Sequence, residues 1–170
     1  MIDIELLDPH HVTVGYTGMP GDRTFFLQAQ DDTELLTLQL EKGQVGGIGE
    51  LLGQLLARVD DAPATDWDRD AMDLRTPIDA RWQVGGISLG LDPDIERFAL
   101  EVEELLFEDD DTEPREARIW CNRDQARRLA AHAAEIIGQG RPRCELCGRP
   151  TETDGTHVCP ATNGHGRLSR

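Results

Sequence analysis

Positive charge is scarce in this chain: 17 Lys and Arg stand against 33 Asp and Glu among 170 residues, a formal net charge of −16. A surface that acidic repels nucleic-acid phosphates and anionic membranes at long range, so either partner would need a local basic patch. The deficit is uneven. Residues 141–170 hold Arg141, Arg143, Arg149, Arg167 and Arg170 against Glu145, Glu152 and Asp154, a net +2, which leaves −18 on residues 1–140. Long apolar runs are missing as well, and no stretch approaches the ~18 residues of a membrane-spanning helix. Met1-Ile2-Asp3-Ile4-Glu5 is acidic where a secretory signal carries positive charge, so the expectation is a cytoplasmic chain with no membrane partner. Cysteines number four, and three of them cluster near the C-terminus among histidines. In a reducing compartment such a cluster reads as thiolate ligands, not disulfides.

Several catalytic signatures are absent too. Gly43 to Gly49 is glycine-rich but lacks the Gly-Lys-Ser/Thr ending of a phosphate-binding loop. His10, His11 and His132 have no carboxylate and Ser or Cys arranged around them as a triad. Asp66-Trp67-Asp68-Arg69-Asp70 resembles the start of a calcium loop, yet Ala71 stands where a glycine is required and Pro77 where the bidentate glutamate belongs, so it reads as a solvated turn. Cys121 reads as a small buried hydrophobe. The run Glu108-Asp109-Asp110-Asp111 repels itself and predicts an exposed loop.

What is present begins with an internal match. Phe25-Phe26-Leu27-Gln28-Ala29 aligns with Phe98-Ala99-Leu100-Glu101-Val102 at an offset of 73, with Pro20 and Pro93 equally far ahead. Leu38 to Val45 then aligns with Ile119 to Ala126 at an offset of 81, the difference absorbed by the acidic loop. Each copy reads as three strands and a helix. In the first, Val12 to Tyr16, Thr24 to Gln30 and Leu35 to Leu40 are strands around the turn Met19-Pro20-Gly21-Asp22. A helix follows with Val45, Ile48, Leu52, Leu55, Leu56 and Val59 on one face. Gly46, Gly47 and Gly49 imply a late helix start or close backbone packing, since each costs about 1 kcal/mol against alanine inside a helix. The second copy runs through Trp82 to Leu91, Glu96 to Phe107 and Glu116 to Cys121. Asn122 and Gln125 then cap a helix carrying Ala126, Leu129, Ala133, Ile136 and Ile137, which ends at Gly138, Gly140 and Pro142. Residues 60–79, acidic and aperiodic, read as a linker or long loop.

One motif demands a particular chemistry. Two thiolates at the spacing Cys144-x-x-Cys147, followed by Gly148, reach one tetrahedral ion from a tight turn. His157-Val158-Cys159-Pro160 supplies the second half, because residues two apart on an extended segment point the same way. His165 is the alternative to His157. A site with four protein ligands is closed to substrate and contributes folding energy. With only three, the open position could hold an activated water, although no glutamate is placed as its base.

With these residues in view, the chain resembles a family of uncharacterised proteins of high-GC Gram-positive, or actinobacterial, bacteria. The resemblance rests on Gly18 to Ala29, on Leu40-Glu41-Lys42 with Gln44, on Val84-Gly85 with Leu89-Gly90, and on Cys144 to Gly164. In that pattern an arginine tends to follow the second Cys-Pro, where this chain has Ala161, and the position of His165 is not always histidine, which favours His157 as ligand. The resemblance implies architecture and no assigned activity.

The expected fold is therefore α+β: residues 1–140 as a duplicated βββα body, with copies at about 10–60 and 81–140 forming antiparallel sheet under two helices, and residues 141–170 as a zinc-ribbon-like tail. The expected role is a non-enzymatic adaptor or regulatory protein with a structural zinc, its partner another protein. Two alternatives remain: a single-stranded nucleic-acid binder using Tyr16, Phe26, Trp82 and Trp120 for stacking, against which the charge argues, and a zinc-dependent hydrolase.

Overall fold

Apolar side chains alternate with polar ones through seven short segments, and each of them is a strand in the computed structural model, which describes residues 1–138, 144–147, 149, 151 and 157–162. β1 (Ile2–Leu6), β2 (His11–Met19), β3 (Asp22–Gln30) and β4 (Leu35–Leu40) lead into α1 (Lys42–Arg58). β5 (Val84–Asp92), β6 (Arg97–Glu104) and β7 (Glu116–Cys121) lead into α2 (Arg123–Gly138). The fold is mixed α+β, with a three-stranded sheet ordered β2-β3-β4 and a four-stranded sheet ordered β1-β7-β6-β5.

β1 corrects the expectation of purely antiparallel sheet, because it pairs parallel to β7, with Leu6 beside Ile119. Its Ile-Asp-Ile-Glu-Leu alternation is an ordinary half-buried strand pattern. The remaining pairs are antiparallel. The β2–β3 hairpin closes through Pro20 and Gly21, whose φ of 93° suits the third position of a type II turn. β3 sets Phe25 opposite Leu40 and Leu27 opposite Leu38; β6 sets Phe98 opposite Cys121 and Leu100 opposite Ile119. The two sheets meet at a narrow seam, a single parallel bridge between Gln39 and Gln83. There the Gln39 amide donates to the Trp82 carbonyl at 2.9 Å and the Leu105 amide to the Gln83 carbonyl at 2.7 Å.

Both helices start with the same device. Gln44 Oε1 accepts the Glu41 amide at 2.8 Å, and Gln125 Oε1 accepts the Asn122 amide at 2.9 Å. These reciprocal caps satisfy backbone donors that a helix start leaves without partners. α1 begins at Lys42, so its glycines do not delay the start. Close packing is the reason for one of them: a Cβ on Gly49 would lie 3.2 Å from Ala133 Cβ of α2. The helices pack on each other, α2 lies against β2, and α1 against β5, which merges both halves into one core that includes Leu27, Leu56, Phe98 and Leu129.

Residues 60–79, irregular apart from one 3-10 turn, form a strap that runs along α2 and then across the sheet face opposite the helices. The Ala64 amide donates to the Arg127 carbonyl at 3.0 Å, and Arg69 pairs with both carboxylate oxygens of Glu135 at 3.0 and 3.1 Å. Past a 3-10 turn at Asp70–Met72, the strap meets β2, β3 and β4 in order: Thr13 Oγ1 donates to the Met72 carbonyl, Gln28 binds Arg75, and the Arg81 amide donates to the Thr37 carbonyl. Gly15 permits the crossing, because a Cβ there would fall 2.5 Å from Leu74 Cγ. The polar row Thr13, Gln28 and Thr37 is thereby buried, with Gln28 fully inaccessible.

Candidate metal centre

The Cys144 to Cys147 segment is a tight turn closed by the Cys144 amide donating to the Arg149 carbonyl at 2.9 Å. Closing the turn brings both thiols to one side. The His157 to Cys159 segment approaches from the other, so that Cys144 Sγ lies 3.7 Å from Cys159 Sγ and Cys147 Sγ 3.2 Å from His157 Nε2. All four ligand atoms fall within 4.8 Å of one another. A tetrahedral ion with metal–sulfur distances of about 2.3 Å and metal–nitrogen of about 2.0 Å needs edges of roughly 3.8 Å between sulfurs and 3.5 Å from sulfur to nitrogen. The two closest pairs lie near those edges and the whole set within 4.8 Å, so the four residues could hold one metal ion.

The electrostatics divide the Cys144–Cys147 pair: against the Arg149 amide, burial and the neighbouring Cys159 and Cys144 thiols raise Cys147, whereas Cys144 is held toward the thiolate. Backbone amides of Cys147 and then Leu146 aim at Cys144 Sγ and hold its pKa below that of an ordinary thiol. Cys159 is buried, and the other three residues are half-buried. Such amide donors stabilise the anionic sulfur that a metal requires at Cys144. His165, the alternative to His157, lies outside the described residues, as do Gly138's successors in the hinge, Gly140 and Pro142.

The remaining sequence candidates sit elsewhere. Cys121 is buried at the end of β7, and burial pushes its thiol up to about 12, which leaves no thiolate for nucleophilic work. His11 is buried beside Arg75, and burial, then the Arg75 and His10 charges, lower its pKa to about 4. His132 is half-buried and likewise lowered by burial; with Tyr16, Arg69, Met72 and Glu135 it lines a cleft of about 500 Å³ beside the strap. The charged groups there already satisfy each other through the Arg69–Glu135 pair. Phe26 is buried on β3, Trp82 is buried in the core with the Arg115 guanidinium 4.7 Å from its ring, Tyr16 lies under the Arg23 guanidinium at 4.0 Å, and Trp120 sits on the other sheet. The four rings form no common stacking platform. The acidic run around Glu108 to Asp111 is an exposed turn, and Asp66, Asp68 and Asp70 are exposed.

Sequence reasoning missed the residues that hold the strap: Gln28, Thr37, Arg69, Arg75 and Glu135. The one available signal was a glutamine inside the apolar run of β3, flanked by Leu27 and Ala29.

Among the described residues no helix is long and apolar enough to cross a membrane. No curated protein and no solved structure matches the chain. A family model described as "Protein of unknown function (DUF3090)" matches residues 5–159, a span that runs from β1 through the strap to the last cysteine of the cluster. The chain thus belongs to the DUF3090 family, whose function is unknown.

Proposed function

We propose that this protein is a non-enzymatic adaptor or regulatory protein whose C-terminal module, residues 141–170, is stapled by a structural zinc ion held by Cys144, Cys147, His157 and Cys159. The observation that carries the reading is the convergence of three sulfurs and one imidazole nitrogen within 4.8 Å. Three thiolates and an imidazole suit a borderline-soft tetrahedral ion, and four protein ligands leave no position for substrate. A segment this short cannot bury a core of its own, so the metal supplies the folding energy. Thiolate ligands of this kind persist in a reducing compartment, which supports a cytoplasmic location.

The body is read as two βββα copies. That reading is supported by equivalent registers, Phe25 opposite Leu40 and Phe98 opposite Cys121, at the same offsets of 73 and 81 that align the sequence. The matching caps Glu41 with Gln44 and Asn122 with Gln125 support it too. Duplication of a sheet-and-helix unit builds surface more readily than an active-site cleft, which is why the role is assigned to binding another protein.

Metal analysis of the purified chain tests the proposal. One zinc per chain is expected, lost on Cys144→Ser, with the far-ultraviolet dichroism of the body retained. A metal-free native protein, or esterase or phosphatase turnover that tracks zinc content, refutes it.

A further inference from the structure

The two sheets present four edges. β4 is covered by residues 81–83, β2 has the strap across its face at Thr13 and Gly15, and β1 is short, irregular between Ile2 and Ile4, and carries exposed Asp3 and Glu5. Short length, bulges and charge are the usual means by which an edge avoids pairing with other chains. On β5 these are confined to the ends, a register shift between Val84 and Gly86 and the charge of Asp92. From Gly86 to Leu91 it carries no charge and no proline, its register with β6 is regular, and no other backbone hydrogen bond reaches it among the described residues.

The two faces beside that edge have opposite chemistry. On the helix side, Ile87, Leu89 and Leu91 pack against the core yet remain half-buried, so the apolar layer continues past the last strand. On the other side the rows are Gly86–Glu103–Glu116, Ser88–Glu101–Arg118 and Gly90–Ala99–Trp120. Glycines at both ends of β5 leave the rows open, so a long side chain arriving at the edge can lie across the strand and reach β6. The first row forms a hollow of about 300 Å³ at Gly86, Ser88, Glu101 and Glu103. The Glu103 carboxylate makes no ion pair among the described residues.

From this we infer that β5 is a docking edge for an extended segment of a partner protein in which apolar residues alternate with Lys or Arg. Backbone pairing supplies affinity, the apolar residues extend the layer of Ile87, Leu89 and Leu91, and a basic residue crosses Gly86 to the unpaired Glu103, since Glu101 in the next row is already held by Arg118 at 2.7 Å. A second copy of this chain is the poorer occupant, since it brings another −16 and no basic strand to the edge. The inference deepens the adaptor reading by naming the partner's chemistry, and it does not depend on the metal.

The test uses the full chain and a fluorescent, acetylated and amidated peptide, Val-Lys-Ile-Lys-Val-Lys-Val, read by polarisation and by amide shifts. Saturable binding that moves the amides of Gly86 to Leu91 is expected, and no binding of the twin with Glu in place of Lys. Methylating the peptide nitrogens along one edge must abolish binding while methylating the other edge spares it. Glu103→Lys weakens binding by about tenfold, the size expected when one attractive ion pair becomes repulsive. Gly90→Arg, which meets nothing within 4 Å at its Cβ and therefore folds, weakens it as well. Equal binding of both twins, equal tolerance of methylation on either edge, shifts confined to another surface, or dimerisation through β5 without peptide overturns the inference. Binding by the metal-free Cys144→Ser chain at wild-type strength keeps the fate of this edge separate from that of the zinc site.

Discussion

Replacing Gln28 by leucine removes the pin that holds the strap to the sheet. Gln28 Nε2 donates to the Arg75 carbonyl at 2.9 Å and to Thr37 Oγ1 at 3.0 Å, and its Oε1 accepts the Arg75 amide at 2.7 Å. Leucine is close to glutamine in volume, so the change leaves no large cavity and the lost hydrogen bonds dominate. Each is worth about 1 kcal/mol net, and groups left without a partner add to the loss where water cannot reach them. The Arg75 backbone is only part-buried and recovers some solvation, which sets the expected destabilisation at about 3 kcal/mol. For a chain of this size that is a fall in melting temperature of roughly 6–12 °C. Urea unfolding should show a lower midpoint at unchanged slope, and native-state hydrogen exchange should show the Arg75 amide released ahead of the β3 amides. Thr37→Val, which removes one of the three bonds, should cost about 1 kcal/mol. A Gln28→Leu protein within 0.5 kcal/mol of wild type (about half of one hydrogen bond), with the Arg75 amide still protected, would refute the idea that this side chain latches the strap.

Acid should weaken the fold through His11. Its folded pKa of about 4 lies below the unfolded 6.5, so the unfolded chain takes up the proton first. Stability falls as pH drops through 6.5 and stops falling on this account below about 4. The full effect is about 3 kcal/mol, and His11→Gln should flatten that part of the pH profile measured by urea titration; an unchanged profile contradicts a neutral buried His11. In α1, Gly47→Ala should stabilise by about 0.5–1 kcal/mol, because nothing lies within 4 Å of the new methyl, whereas Gly49→Ala gains nothing because Ala133 stands 3.2 Å away. Thermal melts of the two variants separate these outcomes, and equal gains would disprove the close helix contact. Cys121 should resist alkylation in the folded protein while a chelator exposes the other three thiols, as counted by mass spectrometry.

Local signals account for most of what could be read before the fold was known. Period two marked β2, β3, β4 and the second set of strands, period 3.6 marked both helices, and Asn122 with Gln125 marked a helix start at the position the structure gives it. The Cys144 to Cys159 cluster was legible because metal ligands must be particular residue types at short spacings. The same locality explains the failures. β1 was overlooked although its alternation is regular, because its partner β7 lies more than a hundred residues away in sequence.

The strap shows most clearly what a sequence leaves open. An acidic segment without a period is a linker by every local rule, and Thr13, Gln28 and Thr37 have the look of a solvated polar face. Only tertiary placement decides that this face is buried, since backbone groups at Met72 and Arg75 replace water as its hydrogen-bond partners. Composition and spacing determined on their own an acidic α+β chain with a metal-ligand cluster, because charge, period and ligand chemistry act over a few residues. The parallel pairing of β1, the seam between the sheets, the burial of Trp82 and the open edge of β5 were decided by contacts between distant segments, for which neighbouring residues carry no signal.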